Sequence, residues 1–369
     1  MVSFDLSEEQ MMIRETVGVF ARDEVRPAAR IADESGAIPP ALIAKSWELG
    51  LVRGAIPEQF GGYGDARSAV TGAIVAEELA FGDLSIAIHM LAPRLAAYPL
   101  IEFGTDEQRA RLLKNFARDE FTAGSAALME PRFDFDAADL ATRAERAGAG
   151  YVLNGTKCYV PLGAESEWIL VYAACGSEAG GAGVGGFIVP RGAPGLVVAE
   201  REQNMGLKGL ATYEVTLENC RLGAEARIGG EGGLNFTRIV AQTRVAAAAM
   251  ATGVARAAYE YARAYAKERK AFGVPIATKQ AIAFMLAEMA IEVDAMRLLT
   301  WEAAAWLDKG EDALKESYQA RNYAAQAALV VTDNAVQTLG GHGYIREHPV
   351  ELFLRNARGF AVLEGLATV

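Results

Sequence analysis

The sequence predicts an α+β protein with helices at both ends and strands between them: an N-terminal helical domain over 1–120, a central antiparallel β-domain over 121–230 and a C-terminal helical bundle over 231–369. Three observations carry this. Apolar residues recur at three- and four-residue intervals from about residue 6 to 120. Short β-branched and aromatic runs parted by Gly, Asn and Pro fill the middle. Helical periodicity then returns in long Ala-rich segments that persist to the end. Strands set apart from helices along the chain argue against a parallel βαβ sheet.

The elements follow in order. Glu8 to Arg30 and Ala66 to Leu79 carry the helical spacing, and Ser7-Glu-Glu-Gln10 resembles a capping box at the first helix start. Ile56-Pro57 and Phe60-Gly-Gly-Tyr-Gly64 interrupt the spacing as loop signals. Tyr151-Val-Leu153, Trp168 to Tyr172, Phe187-Ile-Val189 and Tyr213 to Leu217 read as strands. Gly148-Ala-Gly150 before the first of these, and Asn154-Gly155 after it, form the strongest short-range hairpin signal in the chain. The helical segments around Arg244 to Lys270, Gln280 to Asp308 and Lys315 to Leu339 exceed the usual globular length and are apolar on more than one face, which predicts a bundle that also packs against a partner.

Composition narrows the function. With 369 residues and 51% apolar content, the chain can bury a large core or two to three subdomains. Thirty-six Lys and Arg against 47 Asp and Glu give −11, and no basic run tracks a phosphate backbone, so nucleic acid is not an expected partner. No uninterrupted apolar stretch of spanning length and no signal-peptide pattern at Met1 to Gln10 stand out, so a cytoplasmic protein with no membrane partner is expected. Cys158, Cys175 and Cys220 lack Cys-x-x-Cys spacing and read as reduced core residues, and three histidines make a transition-metal site improbable.

Four patterns bear on chemistry. Gly181-Ala-Gly183-Val-Gly-Gly186 satisfies G-x-G-x-x-G, but a strand-like run follows it and no helix N-terminus is offered to a diphosphate, so it reads as a flexible loop. Glu364 is the lone acidic residue after Glu351 and stands in the apolar run Phe360 to Ala367; it is either a buried base or a solvent-facing glutamate, and spacing leaves both open. Gln337-Thr-Leu-Gly-Gly-His-Gly-Tyr344 ends a long helix in glycines that permit close backbone approach, with His342 given no role. Glu268-Arg-Lys-Ala-Phe-Gly273 sets a guanidinium beside an aromatic ring, which suits a diphosphate or an adenine and equally a solvated helix end.

Taken together and in this order, the segments resemble the acyl-CoA dehydrogenase family over nearly the whole chain. Glu268-Arg-Lys-Ala-Phe-Gly273 is similar to its E-R-x-x-F-G segment, Gln280 to Met289 to the helix that follows, and Gln337 to Tyr344 to its Q-x-x-G-G-x-G-[FY] turn. Ile56-Pro-Glu-Gln-Phe-Gly-Gly62, Glu102-Phe-Gly-Thr-Asp-Glu-Gln108 and Met205-Gly-Leu-Lys-Gly209 with Thr212 resemble further landmarks. The resemblance implies an α-domain, a β-domain and a C-terminal four-helix bundle with FAD between the last two, in a homotetramer. It places the base at Glu364 of Glu364-Gly365, which would take the α-proton of an acyl-CoA thioester while the β-hydrogen leaves as hydride to the flavin, giving a trans-2-enoyl-CoA. It also implies electron-transfer flavoprotein as electron acceptor. Arg269, Phe272, Gln337, Gly340 and Gly341, and more weakly Gln280, match FAD-holding positions, with Arg269 and Phe272 reaching the FAD of a neighbouring subunit. Arg244 matches an arginine near substrate and base, and Leu363 and Gly365 flank the base.

Four departures stand out. The family's T-E-P-G-A-G-S-D run is Met129 to Asp136 here, with Met129 for Thr and Phe135 for Ser, and its W-I-T is Tyr159-Val160-Pro161. Leu366 and Thr368 replace the Thr and Gln of E-G-T-x-Q, and five residues follow Glu364 where relatives continue in helix. Two readings result: an acyl-CoA dehydrogenase with Met129 and Tyr159 on the flavin and Phe135 on the substrate, or a non-catalytic or half-active subunit of a hetero-oligomeric one. Retention of Glu364 favours the enzyme, and replacement of the T-E-P-G-A-G-S-D run favours the subunit.

Overall fold

The structure is a computed structural model that describes residues 4–176, 183–361 and 363–369. It begins with α1 (Glu8–Phe20), which carries the expected capping box: Ser7 Oγ accepts from Gln10 N and Gln10 Oε1 accepts from Ser7 N. A π-helical turn at Ala21–Val25 passes this helix into α2 (Arg26–Ser35) without a break. Then come α3 (Pro40–Glu48), α4 (Ala69–Gly82), α5 (Leu84–Leu91), α6 (Pro93–Phe103) and α7 (Asp106–Leu112). The twenty residues Leu84–Phe103 equal a membrane span in length and mean hydropathy, although His89, Arg94 and Glu102 interrupt the apolar run. Their apolar window is 89% buried inside the fold, so they form a core helix pair.

Seven strands follow: β1 (Ser125–Ala127), β2 (Arg143–Ala147), β3 (Gly150–Pro161), β4 (Trp168–Ala174), β5 (Val184–Pro190), β6 (Leu196–Arg201) and β7 (Thr212–Leu222). Their order is β1-β4-β2-β3-β7-β6, with β5 on β4. Most pairs are antiparallel as expected, but β1 and β2 both meet β4 in parallel. Gly148 makes the tight turn between β2 and β3. Asn154-Gly155 is no turn: β3 runs straight through it, and the pairing with β7 slips there as a bulge against Thr142. In the G-x-G-x-x-G match, Gly181 and Ala182 lie outside the described residues, and Val184–Pro190 is strand, so no helix starts there.

The C-terminal part holds α8 (Phe236–Glu268), a small hairpin of β8 (Lys270–Ala271) and β9 (Val274–Pro275), α9 (Gln280–Asp308), α10 (Leu314–Leu339), the short α11 (Gly341–Tyr344) and α12 (Val350–Arg358). The bounds of α9 and α10 lie within a residue of those the Ala-rich periodicity predicts, while α8 starts at Phe236, eight residues before the expected Arg244. Alanines pack α10 and α4 against α8, and a side chain at Gly253 would strike the α4 backbone at Glu77 O. Buried charges lock the same seam: Arg256 bonds Glu77 and Glu78 of α4 (3.0 and 2.6 Å), and Arg297 of α9 bonds Glu77 (2.9 Å). One apolar cluster runs from α1 through α4 and α5 into the C-terminal bundle, and two others fill the two faces of the sheet.

Candidate active site

The segment after α12 has little regular structure. A single 3-10 turn at Gly359–Ala361 leads into it, and Leu363 N donates to Gly359 O at 2.8 Å. Gly365 then turns the chain at φ +77°, a left-handed conformation that disfavours other residues, and a side chain there would collide with Leu128 of the β-domain. Between these two fixed points the Glu364 carboxylate accepts from Arg244 Nε of α8 at 2.9 Å. Both side chains are mostly buried, 13% and 11% exposed. The structure therefore resolves the choice left open by spacing: Glu364 is an inward carboxylate paired with a guanidinium, and the Tyr318 ring of α10 lies 5.4 Å from that guanidinium.

Beside Glu364 is a narrow apolar cavity of about 20 Å³, lined by Leu84, Ile88, Ala247, Met250, Leu363 and Leu366 among others. It shares Leu207, Gly359 and Leu363 with a wider opening of about 170 Å³ that Tyr159 and Arg358 also line. Asn356 sets this geometry: its Oδ1 accepts from Leu207 N (2.8 Å) and its Nδ2 reaches Asp83 (3.3 Å), tying α12 to the β-domain and to the start of α5.

Two residues before Tyr159 lies a buried ion pair that the sequence reading did not single out. Lys157 Nζ donates to Glu130 Oε1 and to Leu128 O, both at 2.9 Å, and neither side chain is more than 2% exposed. Glu130 also accepts from the amides of Ala141 (2.7 Å) and Thr142 (2.8 Å). Burial pulls the Lys157 ammonium down to about 8, with Glu130 opposing it; burial pushes the Glu130 carboxyl up, but Lys157 and the Thr142 and Ala141 donors outweigh it and hold it below its ordinary value. The next residue, Cys158, is pushed up to about 12 by burial and by the Glu202 carboxylate, which leaves an unreactive thiol. Tyr159 follows at φ +52°, its amide held by Glu202 Oε1 at 3.1 Å.

The expected cofactor residues divide into separate places. Arg269, Phe272, Gln337, Gly340 and Gly341 line one cradle of about 720 Å³ where α8, the β8–β9 hairpin and the end of α10 meet. Gln280, the exposed first residue of α9, does not line it. His342, given no role from sequence, does line it and bonds Tyr265 Oη through Nδ1 (2.8 Å). No lining residue is common to this cradle and the cavities at Glu364. Met129 lines none of the three; it is half-buried, its carbonyl accepts from Cys158 N, and its neighbour Leu128 walls Gly365. Phe135 is also absent from the cavities at Glu364 and packs on the core cluster between the sheet and α6.

The cradle suits the dinucleotide end of FAD. Phe272 is 95% exposed at φ +53°, Arg269 is exposed beside it, and nothing lies within 4 Å of where a side chain would stand on Gly340 or Gly341, so backbone is open to a ligand. Two residues past Tyr159, Pro161 has no N–H and its carbonyl is taken by Ser125 Oγ (2.6 Å).

Comparison with known proteins shows the family of the chain. Sequence models described as the N-terminal, middle and C-terminal domains of acyl-CoA dehydrogenase match residues 7–120, 125–220 and 230–369. An acyl-CoA dehydrogenase of Bacillus subtilis (strain 168) is 34% identical over 364 residues, covering 98% of this chain and 95% of the relative. The mitochondrial short-chain specific acyl-CoA dehydrogenase of Bos taurus is 35% identical over 372 residues, covering 100% and 89%. Among solved structures, butyryl-CoA dehydrogenase from Megasphaera elsdenii superposes with a TM-score of 0.87 at 30% identity, covering 100% of this chain and 96% of that one.

Proposed function

Because the chain belongs to the acyl-CoA dehydrogenase family, whose members oxidise acyl-CoA with FAD, we propose that it desaturates an acyl-CoA thioester between the α and β carbons with Glu364 as the base. The observation that carries this reading is the buried Glu364–Arg244 pair at the mouth of an apolar cavity. Arg244 Nε holds one carboxylate oxygen at 2.9 Å and so fixes where the base points, and Leu363 and Met250 line the apolar cavity beside it. The thioester acidifies the α C–H; its proton goes to a Glu364 oxygen, the β-hydrogen leaves with its electron pair, and the C=C bond forms. FAD, when bound, supplies the acceptor for that hydride. Tyr159 and Leu363 both line the wider opening.

Arg269, Phe272, Gln337, Gly340 and Gly341 would hold the adenosine and diphosphate end. Since that cradle shares no residue with the Glu364 cavities, the reading makes it serve the FAD of a neighbouring copy in a homotetramer. The exposed stripe Phe284, Ile291 and Leu298, one residue every two turns of α9, is the kind of face such a contact buries. Electron-transfer flavoprotein is the electron acceptor in this scheme. The curated relatives are dehydrogenases, and nothing in the site favours a purely structural subunit.

The test is the visible spectrum of the purified protein with flavin counted per subunit, followed by a panel of acyl-CoA esters without oxygen. Bound flavin should bleach with at least one ester, and Glu364→Gln should slow bleaching by roughly 10²–10⁴-fold. Equal bleaching in Glu364→Gln, or a protein that takes up no FAD, would refute the proposal.

A further inference from the structure

Glu364 hangs from a backbone that no helix or sheet ladder holds, so something else must fix the direction of its carboxylate. The carbonyl of Leu363 lies in the peptide plane that ends at Glu364 N, and its orientation sets where the Glu364 side chain begins. That carbonyl accepts from Arg321 Nη2 at 3.3 Å. Arg321 is half-buried on α10, one turn beyond Tyr318, whose ring lies by the Arg244 guanidinium. On the other side of the base, Gly365 is fixed by its left-handed turn and by Leu128. Two arginines from two packed helices thus grip successive residues of the loop, Arg244 the carboxylate and Arg321 the preceding carbonyl.

We propose that Arg321 is a positioning residue for the Glu364 base, aiming the carboxylate by clamping the Leu363 carbonyl. The inference rests on the dehydrogenase reading. It differs from the role of Arg244 in what it grips: Arg321 holds the backbone that carries the base, whereas Arg244 bonds the carboxylate itself. The far end of the segment has its own tether, Arg67 Nη2 to Val369 O at 2.9 Å, so losing Arg321 frees the base without freeing the whole segment.

Arg321→Met and Arg321→Lys in the flavin-loaded protein, mixed with butyryl-CoA without oxygen, test the clamp. Arg321→Met should slow flavin bleaching by roughly tenfold to a hundredfold, the cost of a misaimed reacting group. The half-saturating butyryl-CoA concentration should not move, and Arg321→Lys, which restores a donor, should recover to within about threefold of the parent. A second readout needs no turnover: hydrogen–deuterium exchange of the peptide covering 363–369 should quicken in Arg321→Met and return in Arg321→Lys. An unchanged bleaching rate, a shifted half-saturating concentration or unchanged exchange overturns the clamp. Failure of butyryl-CoA to bleach the parent protein counts against the reaction on that ester, and the exchange experiment then decides the clamp by itself.

Discussion

Replacing Lys157 by Met removes one half of a buried ion pair and keeps most of its volume, so the packing of the methylene stem survives and the electrostatic consequence stands alone. Glu130 keeps its bonds from Ala141 and Thr142 but loses its cation, and Leu128 O loses its donor. Breaking a buried pair on one side costs about 3–5 kcal/mol, and the orphaned carbonyl adds about 1 kcal/mol. The sign of the pH dependence follows from Glu130. In the parent its folded pKa lies below 4.5, so its contribution is present above pH 4.5 and is lost as pH falls through the folded value. Without Lys157, burial dominates and lifts that folded pKa; the carboxylate is then penalised at neutral pH and relieved by protonation in acid. The gap between parent and Lys157→Met should therefore be widest near pH 7 and narrow below pH 4.5. The assay is urea unfolding followed by circular dichroism at both pH values and one protein concentration, with Glu130→Gln and the double variant completing a cycle. A loss below about 1 kcal/mol at pH 7, a gap that ignores pH, or strict additivity in the double variant would refute the reasoning.

Two further outcomes are expected. Burial, with Arg201 adding to it, holds His89 down at about 4 against 6.5; the folded protein thus excludes a proton that the unfolded chain accepts, and stability intact above pH 6.5 is eroded as pH falls to 4, by roughly 3 kcal/mol. His89→Gln should abolish that slope in unfolding measured from pH 7 to 4, and a slope equal to the parent's would count against it. Ile291→Lys, at the centre of the exposed α9 stripe, should lower the sedimenting mass and the flavin retained per subunit together; dissociation with full flavin retention would show that the α10-end cradle serves its own chain.

How much was legible depended on how local the cause was. The long bundle helices could be read because their Ala-rich periodicity and the Gly340 stop act within a few residues. Asn154-Gly155 misled because turn chemistry is also local, whereas the continuous pairing of β3 with β7 that overrides it joins residues about sixty apart. Glu364 and Arg244 were legible through resemblance, and the structure added that they touch across 120 positions. Arg321 carried no signal: its partner is a backbone carbonyl, which no residue type announces. Phe135 was expected at the substrate because its position matches a contact residue, yet an aromatic side chain gains more by joining the core beside α6 than by facing solvent at a cavity mouth.

The two ends of the cofactor site have diverged unequally on the proposed reading. Near Tyr159, Met129 has no hydroxyl and Pro161 no N–H, and each hydrogen bond so lost weakens retention by about 0.5–1.5 kcal/mol. The cradle has kept its exposed Phe272, Arg269 and open glycine backbone. Retention of FAD then leans on the end that a neighbouring copy provides, which couples cofactor content to association more tightly than a full set of ring donors would. The same divergence leaves the base, its arginine partner and the clamp on its backbone in place, since Arg244 and Arg321 still hold the very segment that carries Glu364 and the replaced positions Leu366 and Thr368.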